Sequence, residues 1–178
     1  MDSSEGSSSW CLHGSVARNP AGRTAPVRLY EVAAGILVAG DRVLIARRQE
    51  RDHQGGRWEF PGGKRHTGET VEECLRREML EEIGLDVQVG PLWRALTHVY
   101  PDRRVSIYFH VCTSYQGEPV AIECDEIRWV LPAELTALPF VEGDLVVLPD
   151  LARELAERFP TPAERLPEAP AGSSSPQP

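Results

Sequence analysis

The 178-residue chain lacks an excess of basic residues, a cysteine framework and any long apolar run. Its 19 lysines and arginines are outnumbered by 27 acidic residues, and the net charge of −8 opposes sequence-independent binding to a nucleic acid polymer or an anionic membrane. No stretch approaches the roughly 18 apolar residues that a membrane span needs, and the N-terminus has no basic flank followed by an apolar core. We therefore expect neither secretion nor membrane insertion.

The cysteine content indicates a reducing compartment. Four cysteines lie at positions 11, 74, 112 and 124, without a CxxC pair among them. This number is too small for a disulfide scaffold in a chain of this length. A cytoplasmic location is the simplest expectation.

Composition divides the chain into one domain with two tails. Residues 1–26 are rich in Ser, Gly and Ala and show neither helical nor strand periodicity, which indicates a disordered N-terminal extension. Residues 160–178 hold six prolines and a serine triplet, a composition that buries too little apolar surface to fold. Residues 27–159 are expected to form a single domain, since 41% hydrophobic residues in the chain is enough for a buried core.

The folded domain begins with two β-rich runs, over residues 29–39 and 42–46. Gly40 and Asp41 join the two runs, and this pair is suited to the tight turn of a hairpin. We therefore expect the first two strands to pair with each other. A Gly/Pro-rich loop is expected over residues 55–63.

A helix is predicted over residues 70–83, where apolar side chains recur every four positions. Thr70 and Glu73 have the spacing of a capping box, in which each side chain accepts a hydrogen bond from the backbone of the other residue. Gly84 is suited to end the helix, because glycine adopts the left-handed conformation at low cost.

The remaining elements follow from shorter patterns of the same kinds. They are strands over 92–99, 105–113 and 127–131, a turn at 100–102, a short helical turn over 132–135 and an amphipathic closing helix over 146–158. Strands interleaved with two helices predict a layered α/β domain.

An acidic stripe lies along the predicted helix. Glu78, Glu81 and Glu82 are spaced at i, i+3 and i+4, so they share one face. Two like charges about 4 Å apart repel by roughly 4 kcal/mol at an effective dielectric near 20, so a converged cluster requires a cation or a shared proton. Oxygen ligands that leave room for water and phosphate suit Mg²⁺, with Mn²⁺ as its substitute, better than zinc.

The stretch from Gly63 to Leu85 fits the Nudix box, Gly-x5-Glu-x7-Arg-Glu-U-x-Glu-Glu-x-Gly-U, in which U is a bulky apolar residue. The fixed residues are Gly63, Glu69, Arg77, Glu78, Glu81, Glu82 and Gly84, with Met79 and Leu85 in the apolar slots. The chain therefore resembles the Nudix hydrolases. This resemblance implies an α/β/α sandwich with a mixed β-sheet between helices, and Mg²⁺-dependent cleavage of a nucleoside polyphosphate.

Each residue of the box has an expected role. The three carboxylates of the stripe are the expected metal ligands, as the resemblance also implies, and Glu81 is the first catalytic candidate among them. Gly62 adds a backbone carbonyl that can turn toward the metal, because glycine tolerates close backbone approach. Arg77 precedes Glu81 by four residues and is expected to orient its carboxylate. Glu69 is expected at the helix entry, outside the ligand set.

Outside the box, the chain resembles the MutT-type nucleoside triphosphate pyrophosphohydrolases over about 120 residues. The resemblance rests on Arg47-Arg48, the stretch from Trp58 to Lys64, the stretch from Tyr100 to Arg103, Gly117-Glu118-Pro119 and Trp129. The short motifs are only moderately specific one by one, but their order and spacing together favour the MutT branch over other Nudix groups.

The MutT resemblance carries further site residues with it. Glu123 falls where MutT-like enzymes place a carboxylate outside the box that assists the metal or the attacking water, and Asp125 or Glu126 are alternatives in the same run. Arg48 and Arg103 match positions that contact the nucleotide, where an arginine fork can bind phosphate or a base edge.

Base recognition is expected to differ from that of the 8-oxo-dGTP enzymes. Phe60 and Tyr30 are candidates either for the walls of a base pocket, where stacking contributes about 1–3 kcal/mol, or for the core. In the enzymes that remove 8-oxo-dGTP, an asparagine amide after the last strand reads the oxidised guanine, and here Glu142 holds that position. An ionised carboxylate only accepts hydrogen bonds. Glu142 or Asp144 would therefore accept hydrogen bonds from the exocyclic amine of cytosine or from the N–H groups of guanine.

The resemblance implies attack of a metal-activated water on the β-phosphorus of a (deoxy)nucleoside triphosphate, which yields the monophosphate and pyrophosphate and removes modified nucleotides from the pool. Two alternatives remain open at this point: hydrolysis of another nucleoside diphosphate derivative, such as ADP-ribose or a dinucleoside polyphosphate, and a Nudix domain that binds nucleotide without hydrolysing it. The chain is expected to be a monomer or a homodimer.

Overall fold

The computed structural model describes residues 28–99 and 103–158. The predicted tails over 1–26 and 160–178, and the predicted turn at 100–102, lie outside the described residues. Among the helices of the described residues, none has the length and apolar composition for crossing a membrane.

The described chain contains nine strands, three α-helices and a 3-10 helix. The strands are β1 (Arg28–Ala39), β2 (Arg42–Arg47), β3 (Trp58–Glu59), β4 (Gly62–Lys64), β5 (Asp86–Gln88), β6 (Leu92–Val99), β7 (Arg103–Cys112), β8 (Ser114–Gln116) and β9 (Glu126–Val130). The helices are α1 (Val71–Ile83), the 3-10 helix (Pro132–Ala137), α2 (Glu142–Leu145) and α3 (Leu148–Arg158).

Seven of these strands form one mixed sheet, in the order β3-β2-β1-β7-β6, with β4 beside β1 and β9 beside β2. β1 runs parallel to β7, from the pair Arg28 and Arg103 to the pair Leu37 and Cys112. It is antiparallel to β2 and to β4. β5 and β8 form a separate two-stranded ribbon. β1 is thus the strand on which the other parts of the sheet are assembled.

Alternating side chains of β1 face two hydrophobic cores. Ala34 and Ile36 pack into the core covered by the 3-10 helix and α3, whereas Ala33 and Leu37 pack into the core beneath α1. Each fully buried aliphatic side chain contributes about 1.5–3 kcal/mol relative to exposure. The sheet therefore lies between α1 on one face and α3 on the other, and the predicted α/β/α sandwich is confirmed.

The longer elements agree with the sequence patterns. The first hairpin turns at Gly40, where φ is 61°, and pairs Val38 with Val43. In α1, the Thr70 hydroxyl accepts from Glu73 N–H at 3.1 Å and the Glu73 carboxylate accepts from Thr70 N–H at 2.8 Å, so both halves of the capping box form.

Several details differ from the sequence predictions, among them α2, which was not predicted, and three of the differences have a plain physical reason. The segment over 55–63, predicted as a loop, contains β3 and the start of β4, which form because β2 and β1 offer them backbone partners. The ribbon of β5 and β8 was not predicted, since its strands are only three residues long. The closing helix begins at Leu148 rather than at 146, because Pro149 is tolerated in a first turn but not in a helix interior.

Thr70→Ala is expected to lower the free energy of unfolding by about 1 kcal/mol, because the backbone N–H of Glu73, in the first turn of α1, loses its acceptor. Urea unfolding measures the change. Thr67→Ala is the matched control, since Thr67 is exposed and precedes the helix. Coincident unfolding curves for Thr70→Ala and the unsubstituted chain would contradict the capping assignment.

Candidate active site

β4 passes unusually close to the acidic stripe of α1. A side chain at Gly63 would place its Cβ 2.3 Å from Cδ of Glu78, far inside contact distance. A side chain at this position would therefore have to displace the Glu78 carboxylate from its present place. At the preceding residue, the N–H of Gly62 donates to the carboxylate of Glu82 at 2.9 Å. The stripe is thus held against the backbone of β4 rather than exposed along its full length.

One nitrogen of Arg77 holds two of the three stripe carboxylates. Its guanidinium donates to Glu78 at 2.8 Å and to Glu81 at 3.0 Å, while Glu82 lies against β4. Among the described residues, no three His, Cys, Asp or Glu side chains converge closely enough to hold a metal ion as they stand. Glu78 and Glu81 are thus bonded to Arg77 and Glu82 to β4, and the predicted ligand set stays a prediction.

The predicted pair of Arg77 with Glu81 is one part of a larger set of contacts. Glu69 accepts from Arg77 Nε at 2.6 Å and from the same guanidinium at 3.1 Å, and its pKa is lowered to about 2 by these bonds and by the N–H of His66. Arg77 also donates to the carbonyl of Lys64 at 3.2 Å. Glu69 therefore orients Arg77 from outside the stripe, as its helix-entry position suggested.

Glu82 lies where an anion is costly. Burial raises the pKa of its carboxyl to about 8, and the nearby charges of Glu59 and Glu78 raise it further, whereas the N–H of Gly62 lowers it. A divalent cation would stabilise the anionic form of Glu82 and of the carboxylates beside it, because its positive charge offsets their mutual repulsion. The stripe of α1 offers only oxygen donors, and these fit a hard cation such as Mg²⁺.

The loop that carries Glu123 lies against the end of α1. The N–H groups of Ile122 and Glu123 donate to the carbonyl of Glu82 at 3.0 and 3.2 Å. The side chain of Glu123 is exposed. Of the two alternatives, Asp125 accepts from the N–H of Glu50 at 3.3 Å, and Glu126 pairs with arginines 47 and 128.

A cavity of about 480 Å³ opens on the α3 side of the sheet, next to β4. This volume is typical of sites for small molecules. Arg48, Phe60 and Arg103, each predicted as a substrate-binding residue, line it, and so does Gly62. Tyr30 also lines it, with the ammonium of Lys64 5.2 Å from the centre of its ring. The structure thus brings three of the four predicted binding residues together beside the carboxylate stripe, while Glu142 does not line the cavity.

Phe60 belongs both to the core and to the cavity. It is only 3% exposed, and its ring packs against those of Phe109 and Phe140 at centroid distances of 6.1 and 5.5 Å. The two alternatives for Phe60, a core residue or a wall of the pocket, are therefore compatible. A wall supported in this way by other aromatic rings is rigid.

Arg48 lines the cavity with its guanidinium already engaged. It donates to Glu59 at 2.6 Å and to the carbonyl of His53 at 2.9 Å. Burial raises the pKa of the Glu59 carboxyl, and the charge of Arg48 opposes the rise. The sequence analysis did not include Glu59 among the site residues. Its position between the aromatic residues Trp58 and Phe60 was the signal that could have indicated it.

The structure places Asp144, not Glu142, in the cavity wall. Glu142 is exposed, and its N–H donates to the Gln54 side chain at 2.9 Å. Asp144 is 5% exposed, lines the cavity and accepts from the N–H of Phe60 at 3.0 Å. The two residues differ because α2 turns the side chain of Asp144 inward. Burial raises the pKa of the Asp144 carboxyl to about 8, an effect that the Phe60 N–H opposes.

Gln54 closes the rim of the cavity and was not singled out from the sequence. It has a φ of 59°, uncommon for a residue other than glycine, and its side chain joins the loop after β2 to the first residue of α2. No local pattern predicts this contact, because its partner lies 88 residues away.

Comparison with known proteins agrees with this geometry. A family model described as a NUDIX domain matches residues 32–148. The chain is 32% identical to an 8-oxo-dGTP diphosphatase of Escherichia coli, over 69% of this chain and 96% of that protein. It is 37% identical to a putative 8-oxo-dGTP diphosphatase 2 of Mycobacterium tuberculosis, over 70% and 89%. It is 28% identical to a CTP pyrophosphohydrolase of Escherichia coli, over 68% and 90%.

Solved structures share the fold. The Escherichia coli ORF135 protein superposes with a TM-score of 0.67 at 27% identity, covering 75% of this chain and 95% of that one. A structure from a study of MutT from Aliivibrio salmonicida and Vibrio cholerae superposes with a TM-score of 0.64 at 29% identity, covering 71% and 99%. With its complete box, its sandwich fold and these relatives, the chain belongs to the NUDIX family and is a Nudix hydrolase of the MutT type.

Proposed function

We propose that the chain hydrolyses a (deoxy)nucleoside triphosphate to the monophosphate and pyrophosphate in the presence of Mg²⁺ or Mn²⁺. One observation carries this proposal: Gly62 both lines the nucleoside-sized cavity and holds the carboxylate Glu82. A base in the cavity would therefore extend its phosphates toward the stripe. The 8-oxo-dGTP diphosphatases and the CTP pyrophosphohydrolase among the relatives support this substrate class.

The expected metal ligands are the carboxylates of Glu78, Glu81 and Glu82 and the carbonyl of Gly62. In the structure, Glu82 is bonded to the N–H of Gly62, and Glu78 and Glu81 are bonded to Arg77. Held by these residues, Mg²⁺ would supply positive charge to the phosphates and a water of lowered pKa. Arg77 then remains tied to Glu69 and to the Lys64 carbonyl, so it keeps α1 and β4 in place.

Glu123 is the proposed proton acceptor outside the box, with Glu81 as the candidate within it. The contacts that Asp125 and Glu126 make elsewhere favour Glu123 over them. Glu123 also follows the loop bonded to the Glu82 carbonyl, which keeps it near the ligand set.

Glu82→Gln is expected to lower kcat more than about 100-fold without unfolding the chain, because even outer partners of a metal ligand contribute roughly 10- to 100-fold. Pyrophosphate release from 8-oxo-dGTP, measured across a Mg²⁺ titration, tests the effect. Glu72→Gln removes the same charge from the exposed side of the first turn of α1 and is the control. Near-normal turnover of Glu82→Gln would rule out the proposed metal site.

Asp144 is proposed to read the base in place of Glu142. Because its pKa lies near 8, its carboxyl is mostly protonated at neutral pH, and a protonated carboxyl both donates and accepts. This corrects the expectation of an acceptor alone. Guanine, with O6 beside N1–H, and cytosine, with N3 beside its exocyclic amine, each offer a matching edge. Oxidised guanine and cytosine nucleotides are therefore the proposed substrates.

Asp144→Asn is expected to change the ratio of kcat/KM between guanine and cytosine substrates by about tenfold or more, since one bidentate pair contributes roughly 1–3 kcal/mol of discrimination. Pyrophosphate release from 8-oxo-dGTP, dGTP, dCTP, 5-methyl-dCTP and CTP measures the ratio, with ADP-ribose as a test of the alternative class. Glu142→Asn is the matched control, because Glu142 is exposed. A larger change in Glu142→Asn than in Asp144→Asn would refute the assignment.

The raised pKa of the Asp144 carboxyl also leads us to expect that the stability of the domain depends on pH. Its pKa is raised from 3.8 to about 8 on folding, so between these values the folded state binds more protons than the unfolded state. The free energy of unfolding therefore falls as pH rises from about 4 to about 8, and Asp144→Asn should reduce this fall by about 1 kcal/mol per pH unit. Urea unfolding from pH 5 to 8 without added metal checks it, and equal slopes would show that Asp144 does not titrate in this way.

A further inference from the structure

A group of hydrogen bonds on the α1 side of β1 joins Glu31, Arg65 and Tyr108, none of which is a fixed residue of the Nudix box. The carboxylate of Glu31 accepts from two nitrogens of Arg65, one of them Nε at 2.9 Å. It also accepts from the hydroxyl of Tyr108 at 3.1 Å. Strand pairing reinforces the arrangement, since the N–H of Arg65 donates to the carbonyl of Glu31 at 2.8 Å. Arg65 is therefore held on β1 by both its backbone and its side chain.

Arg65 extends this arrangement to the entry of α1. Its remaining terminal nitrogen donates to the carbonyl of Glu69 at 2.6 Å. The carboxylate of Glu69 in turn accepts the two hydrogen bonds from Arg77. Arg77 contacts Glu78 and Glu81. A continuous chain of contacts thus joins β1 to the ligands of the proposed metal site.

The segment between Arg65 and α1 needs such an anchor. It contains Gly68, whose φ of 93° is favoured only for glycine, and residues 66–68 are exposed. Glycine loses more conformational freedom on ordering than any other residue. The Glu69 carbonyl is the point at which the Arg65 side chain ties this segment to the sheet.

β1 also walls the cavity on its other face. Tyr30 and Val32 line the cavity, and Glu31, between them in sequence, points to the opposite side. The strand that contacts the base therefore also holds the anchor of the metal-site segment. A surface ion pair usually adds only about 0–1 kcal/mol to stability. The value of the Glu31–Arg65 pair would therefore lie in fixing the position of the segment between β4 and α1.

We propose that Arg65, oriented by Glu31 and Tyr108, is a positioning residue of this hydrolase, which sets Glu69 and Arg77 so that the box carboxylates can take up a divalent cation. The inference rests on the proposed metal site. The ionisation states agree with it: Arg65 lowers the pKa of the Glu31 carboxyl, while burial and Glu31 raise the pKa of Tyr108, so the hydroxyl keeps its proton and donates.

Mn²⁺ binding by electron paramagnetic resonance, with the full chain and no nucleotide, tests the proposal. Arg65→Met is expected to weaken Mn²⁺ affinity about fivefold, somewhat less than the roughly 10- to 100-fold of a direct outer partner. Tyr108→Phe should weaken it by about twofold, because the Glu31–Arg65 pair remains. The Mg²⁺ concentration for half-maximal turnover of 8-oxo-dGTP should rise in parallel, with KM for the nucleotide at saturating Mg²⁺ unchanged.

Arg76→Met is the matched control, since Arg76 is exposed on α1 and outside the network. Loss of a positive charge by itself favours a bound cation, so a purely electrostatic role for Arg65 predicts tighter Mn²⁺ binding in Arg65→Met, the opposite sign from positioning. Urea unfolding verifies that each variant is folded, and Arg65→Lys, which keeps the charge but cannot reach both acceptors, provides a second variant.

The outcomes separate the inference from the proposed function. Unchanged or tighter Mn²⁺ binding in folded Arg65→Met and Arg65→Lys, with normal binding by the unsubstituted chain, would overturn the positioning role alone. Equal weakening in Arg76→Met would overturn it as well. Absence of Mn²⁺ binding by the unsubstituted chain would overturn the proposed metal site and this inference together.

Discussion

The guanidinium of Arg77 holds together a group of acidic side chains that would otherwise repel one another. It contacts Glu69, Glu78 and Glu81 and the carbonyl of Lys64. These contacts join the entry of α1, its acidic face and the end of β4. Because a planar guanidinium has five donors in fixed directions, a lysine in its place would satisfy fewer of these acceptors. The geometry of the site depends on this one side chain.

The sandwich brings this charged group next to the cavity that is the proposed nucleoside site. β1 pairs with β4, β2 and β7, and its two faces contact different parts of the site. One face supports α1 and the Glu31–Arg65 contacts, while the other contributes Tyr30 and Val32 to the cavity. Gly62 on β4 lies at the boundary. A base in the cavity and a phosphate at the proposed metal site would thereby be kept at a fixed separation by backbone pairing rather than by flexible side chains.

Much of the domain was predictable from local patterns. The capping box at Thr70, the period of α1 and the hairpin at Gly40 depend on neighbours in sequence, so they were visible without the fold. β3, β4 and the ribbon of β5 and β8 were not, because strands of two or three residues form only where a partner strand is offered. Arg48 and Arg103, placed in the binding site by resemblance, and Phe60, a candidate for the pocket wall because its ring can stack on a base, all line the cavity.

The sequence by itself determined that Glu78, Glu81 and Glu82 share one helix face, because this follows from the helical repeat alone, and its complete box indicated the family. The tertiary structure decided which groups those carboxylates contact and which acid faces the cavity. Asp144 rather than Glu142 lines the wall, since the turn of α2 and a hydrogen bond from Phe60 N–H direct it inward. Its raised pKa is likewise a tertiary property, because the burial that causes it requires the packed domain.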